Sequence, residues 1–198
     1  MTARTAPLSD EELELMNVLH DAFRRDVERL ARAATGIEAA GPETRAAVLL
    51  GWHGFRRELH HHHRIEDTLI WPLMRGKLAT RPDDLAVLDA MEDEHTLIDP
   101  TLAAVREALA DLDGEPGVLA DRIDDLNQVL RSHLAHEERD ALPLIRQSVT
   151  LHEWSVLNRR AMRGMSYRWI SELVPWVVDA QSERSKEIAL NAIPAPMR

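Results

Sequence analysis

From Leu13 onward, apolar residues recur every three or four positions, at Leu13, Met16, Phe23, Val27 and Leu30, with His20 standing in the same stripe. That spacing is the period of an amphipathic helix with one face turned to a core. Just upstream, Ser9 and Glu12 in SDEE have the spacing of a capping box, so the helix is expected to start after Ser9. Gly36 and the pair Gly41-Pro42 end it and open a second helix, from about Glu43 to Met74. The inner stripe of the second helix runs through Phe55, Leu59, His62, Glu66, Leu69 and Leu73. The stretch GKLATRPDD reads as a loop into a third helix, striped by Leu85, Leu88, Met91, His95, Ile98, Leu102, Val105 and Leu109. Pro100 falls inside that helix and is expected to kink it, because proline removes a backbone donor. Asp113 to Gly117, DGEPG, is a turn, and a fourth helix carries Ile123, Leu126, Leu130, His133, Glu137 and Leu144. Four helices of about 25 to 30 residues with short connections predict an all-α, antiparallel up-down four-helix bundle. No β pattern competes.

After Ser148 the composition changes. Thr150 to Glu153, TLHE, is a second capping-box pattern, and the segment that follows holds Trp154, Trp169, Trp176 and the only tyrosine, Tyr167. It predicts one or two further helices, broken near Gly164, that pack on the bundle. The final NAIPAPMR is expected to be loosely ordered. With no low-complexity linker, the chain reads as one domain: a four-helix unit over 9–148 and a helical extension over 149–198.

Composition narrows the function. The chain has 198 residues, 44% of them hydrophobic, and a formal net charge of −10. There is no basic face for nucleic acid, no run long and apolar enough to span a membrane, and no signal-peptide pattern in MTARTAPLSDEE. These features fit a cytoplasmic protein. The absence of cysteine removes disulfides, thiolate zinc sites and cysteine-held iron–sulfur clusters.

The polar residues that interrupt the apolar stripes form an internal repeat. Residues 62–73, HHRIEDTLIWPL, align with residues 133–144, HLAHEERDALPL, at an offset of 71. In both, His is followed four later by Glu, then by a second acid, and Pro-Leu closes the segment. His20 lies 42 residues before His62, and His95 lies 38 before His133. Residues i and i+4 share a helical face, so a His and a Glu at that spacing can grip one metal centre. Four helices can aim four such faces at one axis and bury a two-metal site there. Polar groups on an apolar stripe are costly unless paired or ligated, and here all four helices carry them.

At these residues the chain resembles the hemerythrin-like, or HHE cation-binding, family: His on helix one, His-x-x-x-Glu on helix two, His on helix three, His-x-x-x-Glu on helix four. The resemblance covers roughly 9–148. It implies a hemerythrin-like bundle holding two non-haem iron ions with an oxo or hydroxo bridge. The implied ligands are His20, His62, Glu66, His95, His133 and Glu137, with Glu66 and Glu137 bridging. Among the four consecutive histidines 60–63, the repeat fixes His62 as the ligand, since His133 is its partner.

One departure matters. The oxygen-carrying hemerythrins have a second His on helix three, whereas Asp99 lies four after His95 and Met91 four before it. Two His and two bridging carboxylates per metal leave an open position on each octahedral iron, which favours reaction over reversible carriage. Asp99 could fill one.

His60, His61 and His63 point around other parts of the helix and read as non-ligands, although His63 with Asp67 offers an alternative register. His53, His136 and His152 read as surface or structural. Asp67, Glu138 and Glu94 read as solvent-facing or as partners of ligating histidines. Tyr167 is expected to pack its ring on the bundle with its hydroxyl at a partner, and the three Trp read as core or interface.

The resemblance implies a diatomic or peroxide ligand, and three functions compete. The first is an enzyme-like di-iron oxidoreductase acting on O2, hydrogen peroxide or nitric oxide, with Phe23, Leu69 and Leu130 controlling access. The second is an O2, NO or iron sensing module that signals through the Trp-rich C-terminal segment, which would also serve a homodimer or protein partner. The third is a non-redox bundle binding zinc or manganese.

Overall fold

The computed structural model describes residues 6–115, 117–163 and 165–192. Apart from short connections the described residues are helical, with one isolated bridge between Pro7 and Thr150 and no strand among them. None of these helices is long and apolar enough to cross a membrane. Helix α1 spans Asp10–Ala34, and Glu12 turns back to accept from the Ser9 backbone N–H at 2.8 Å. After a short 3₁₀ turn, α2 spans Pro42–Ile65. It continues through a π turn, Glu66–Ile70, into α3, Trp71–Lys77. Helix α4, Pro82–Ala110, runs unbroken through Pro100. Helix α5, Val118–His136, continues through a second π turn, Glu137–Ala141, into α6, Leu142–Ser148.

The extension is more finely divided than the sequence suggests. Helix α7 spans Leu151–Ala161, α8 Tyr167–Val178 and α9 Glu183–Ala192, so three helices stand where one or two are expected. The expected break at Gly164 lies outside the described residues, as do Pro116 in the DGEPG turn and residues 193–198 of the final NAIPAPMR, whose first two residues, Asn191 and Ala192, end α9 instead of belonging to a loose tail. Thr150 and Glu153 form the reciprocal capping box that starts α7. Helix α1 packs on α2 and α5, α4 packs on α5 and α2, and the extension lies against α1.

Both π turns fall at the same place in the repeat. Each begins at the glutamate of His-x-x-x-Glu, whose carbonyl accepts from a backbone N–H five residues on, Trp71 for Glu66 and Leu142 for Glu137. Pro72 and Pro143 follow directly. A proline cannot donate to the carbonyl four residues before it and clashes with that carbonyl. The wide turn just ahead of it lets the helix continue where the sequence suggests a kink or an end. Wide turns of this kind concentrate at functional positions.

Two apolar clusters fill the interior. One contains Phe23, Trp52, Phe55, Leu59, Ile123 and Leu130. The other contains Met16, Trp71, Met74, Met91, Leu142 and Ile145. On every long helix the chain passes from one cluster to the other around the stretch that carries the motif residues: between Met16 and Phe23, Leu59 and Ile70, Met91 and Ile98, Leu130 and Ala141. The polar layer is thus sealed above and below. Phe55 is fully buried, stacked on Trp52 and edge-on to Phe23. Its replacement by Ala should cost about 3–5 kcal/mol, read as a lower denaturant midpoint, without changing metal content in the folded fraction.

Candidate metal centre

The buried polar residues of the described chain, Glu58 apart, all lie in this one layer: His20, His62, His63, Glu66, His95, His133 and Glu137. All six residues expected from the repeat are there. Possible ligand atoms of His20, His62, Glu66 and Glu137 lie within 4.8 Å of one another, and so do those of His63, His95 and His133. The two groups meet at Glu66, whose two oxygens lie 3.0 Å from His62 Nε2 and 3.4 Å from His95 Nε2.

His63 corrects the sequence reading. It is buried, its ring stacked on His95 at 4.0 Å between centroids and edge-on to His133 at 5.4 Å. The repeat argues against it, because its partner 71 positions on is Leu134, a fully buried apolar residue. The signal that could have found it is local: Glu66 is four after His62 and three after His63, so the glutamate lies between both faces. Asp99 is exposed, on the wall of an open groove with Arg56 and Arg106, and is not part of the centre. Tyr167 is 74% exposed, so its ring does not pack on the bundle as expected. The Trp residues do. Trp154 Nε1 donates to the Glu12 carbonyl at 3.1 Å, Trp169 Nε1 to Glu58 at 3.0 Å, and Trp176 Nε1 to Asp26 at 2.6 Å. His53, His60 and His152 are exposed.

The outer nitrogens of three histidines are held by carboxylates. His20 Nδ1 lies 2.9 Å from Glu138, His95 Nδ1 2.8 Å from Asp67, and His133 Nδ1 2.9 Å from Glu94. Arg24 grips Glu138 through two bonds of 2.8 and 2.9 Å, and Glu94 also meets His136 Nδ1 at 2.7 Å. The acid after each motif glutamate therefore fixes a histidine from a different helix. With Nδ1–H so committed, the Nε2 lone pair is left facing inward.

The inward atoms behave differently. Nε2 of His63, His95 and His133 and all four carboxylate oxygens of Glu66 and Glu137 are buried without a hydrogen bond. Some approach one another closely, as His20 Nε2 does Glu137 Oε2 at 3.2 Å, yet these glutamate contacts lack hydrogen-bonding angles. His20 Nε2 and His62 Nε2 share one hydrogen bond at 3.2 Å. The other crowded atoms are acceptors without a donor among them, an arrangement suited to cations. Buried groups left this way would otherwise be strongly unfavourable.

The electrostatics agree. Burial pushes Glu66 well above the usual carboxylate range, and the nearby Glu137 and Asp67 push the same way. Burial drives His62 and His63 well below 6.5, reinforced by neighbouring histidines. Burial also lowers His133, with Glu137 opposing it. Burial would lower His20 too, but Glu137 and Glu138 outweigh it and hold His20 up at about 9. Burial opposes the charge on Glu137, yet His20 wins and brings it down to about 2. Without a cation, the layer is held together by one buried ion pair and one reluctant acid.

Comparison with curated proteins and with solved structures found no match. Residues 11–145 match the family described as the Hemerythrin HHE cation binding domain, a span well over half of the 198 residues that contains the whole layer. With the repeated His-x-x-x-Glu pairs converging on one buried layer, the chain belongs to the hemerythrin HHE cation-binding domain family.

Proposed function

We propose that this protein is a non-haem di-iron protein built on an antiparallel up-down four-helix bundle over 9–148, with 149–198 as its helical extension. The observation that carries this is the set of buried, unbonded ligand atoms facing one another while carboxylates hold the outer nitrogens. His20 and His62 would hold one metal, His63, His95 and His133 the other, and Glu66 and Glu137 would bridge them. Nitrogen and carboxylate ligands in this mixture suit iron. A di-iron centre so held supplies electrons and a coordination position to O2, peroxide or nitric oxide.

His63 changes the coordination count. Three histidines and two shared carboxylates on one side leave less room for an added ligand than two histidines and the same carboxylates on the other. With two metals so held, an open position would be expected on the His20/His62 side rather than on each metal. That weakens the argument for a turnover role drawn from two open positions and brings ligand binding level with it. The Trp rings of α7 and α8 turn inward, so the extension offers a signalling or dimer partner less apolar surface than its composition suggests.

The test is anaerobic ferrous loading of untagged protein, metal analysis, and a spectrum after exposure to air. About two irons per chain with near-ultraviolet ligand-to-iron bands are expected, and His133→Ala should lose both. Zinc or manganese retained in preference to iron, with no absorption, would replace this reading with the non-redox one. Loading should also release protons, since His20, held up at about 9, carries a proton at neutral pH that a metal must displace. Calorimetry in buffers of different ionisation enthalpy should show that release, and metal affinity should fall as pH falls.

A further inference from the structure

Helices α7, α8 and α9 pack against α1 without filling all the space beside α1 and α2. Between them lies a cavity of about 190 Å³. Phe23, His62 and Glu66 form its inner side, and Leu173, Val174 and Trp176 are among the residues on the extension side. The remaining wall is mostly Leu, Ile, Met and Ala. Its buried acid, Glu58, is already committed, accepting from Trp169 Nε1 at 3.0 and 3.1 Å and from Arg57 Nε at 2.7 Å. The cavity touches the layer on the His20/His62 side, where the coordination count leaves room for a ligand.

Its size does not match a diatomic. A water's share of liquid volume is about 30 Å³, and an apolar protein cavity of about 150 Å³ takes up benzene. O2, nitric oxide or hydrogen peroxide, each with two heavy atoms, would occupy a small part of this space, and peroxide would find few polar partners in it. Interiors normally hold few voids larger than a water, because lining atoms lose their contacts. We infer that the cavity between the extension and α1–α2 is a binding chamber for an uncharged, apolar organic molecule the size of a substituted benzene, one end lying against His62 and Glu66. The chamber would hold an organic molecule beside the proposed centre, in addition to its diatomic or peroxide ligand, and rests on that reading only for what happens at the metal. Binding in the chamber needs no metal.

The experiment uses the full-length metal-free protein and fluorobenzene as the probe. Fluorine NMR should show saturable binding to one site. Iodobenzene should quench tryptophan fluorescence saturably, because Trp154 and Trp176 line the cavity. Ala161→Phe on α7 and Val174→Phe on α8 each fill it from a different wall and should weaken fluorobenzene binding about tenfold or more. Circular dichroism establishes that each variant is folded. Fluorobenzene that never saturates, quenching by iodobenzene that is purely collisional, or unchanged affinity in both folded variants would overturn the chamber. Probe binding by protein that takes up no iron would keep the chamber and sink the di-iron reading. Iron uptake without probe binding would do the reverse.

Discussion

Glu66→Gln is expected to empty the centre of metal and, at the same time, to make the metal-free protein more stable. Glu66 lies between the two histidine groups, and neither of its oxygens has a hydrogen bond. A neutral amide there removes the bridging charge, so metal content should fall from about two per chain to near none. The stability change has the opposite sign. Burial raises the Glu66 pKa, with Glu137 adding to it, so the folded state holds the proton more tightly than the unfolded one. A carboxylate raised in this way destabilises the fold above its unfolded value near 4.5, increasingly as pH climbs toward the folded value. Gln removes that penalty and can donate to the bare Nε2 of His95. Replacing buried ion pairs by well-packed neutral residues is often stabilising by about 1–4 kcal/mol, and a gain no larger than that is expected for this single group. The wild type regains more when loaded: metal at about a thousandfold over Kd adds about 4 kcal/mol, or roughly 8–16 °C in Tm for a chain of this length. Thermal melts with and without iron should therefore cross over, the variant higher when both are metal-free and the wild type higher when both are loaded. A variant less stable than wild type without metal would contradict the electrostatic account of Glu66.

His63→Leu is expected to split the two metals. It places at 63 the residue type that the second repeat has at Leu134, and it keeps most of the ring's volume between His95 and His133. Burial keeps His63 neutral, with its Nε2 unbonded, so it contributes a lone pair and no charge. Its loss leaves the His95/His133 side with two histidines, matching the His20/His62 side. One metal should bind as in wild type and the other at least about tenfold more weakly, the scale by which even supporting residues tune metal affinity. His60→Leu, at an exposed position in the same run, should change nothing. Equal loss of both metals would mean that the centre is cooperative and the assignment of His63 to one side is wrong. No change would return His63 to the role of a stacked core histidine.

Much of this was legible in the chain. Helix starts were marked by Ser9 and Thr150, and the stripes named most of the core, because a 3.6-residue period leaves little choice about which face is buried. Past the π turn at Glu66 the stripe shifts by one residue: Ile70 and Met74 are buried where Leu69 and Leu73 are expected, and Leu85 too is only half-buried. The repeat placed His20, His62, Glu66, His95, His133 and Glu137 at one level, where the structure has them. Three features were not legible, for separate reasons. The π turns change hydrogen bonding without changing which residues are apolar, and only Pro72 and Pro143 hint at them. His63 was hidden by the repeat itself, whose second copy carries an apolar residue there. Tyr167 was given a packing role from residue type alone, yet it stands at the first position of α8 and faces solvent.

The most direct test of the account is anomalous diffraction at the iron edge from crystals of anaerobically loaded protein. The account predicts two iron peaks about 3.5–4 Å apart between Glu66 and Glu137, one beside His20 and His62, the other beside His63, His95 and His133. A single peak, or iron found only at the exposed His60 and the half-buried His61, would contradict it.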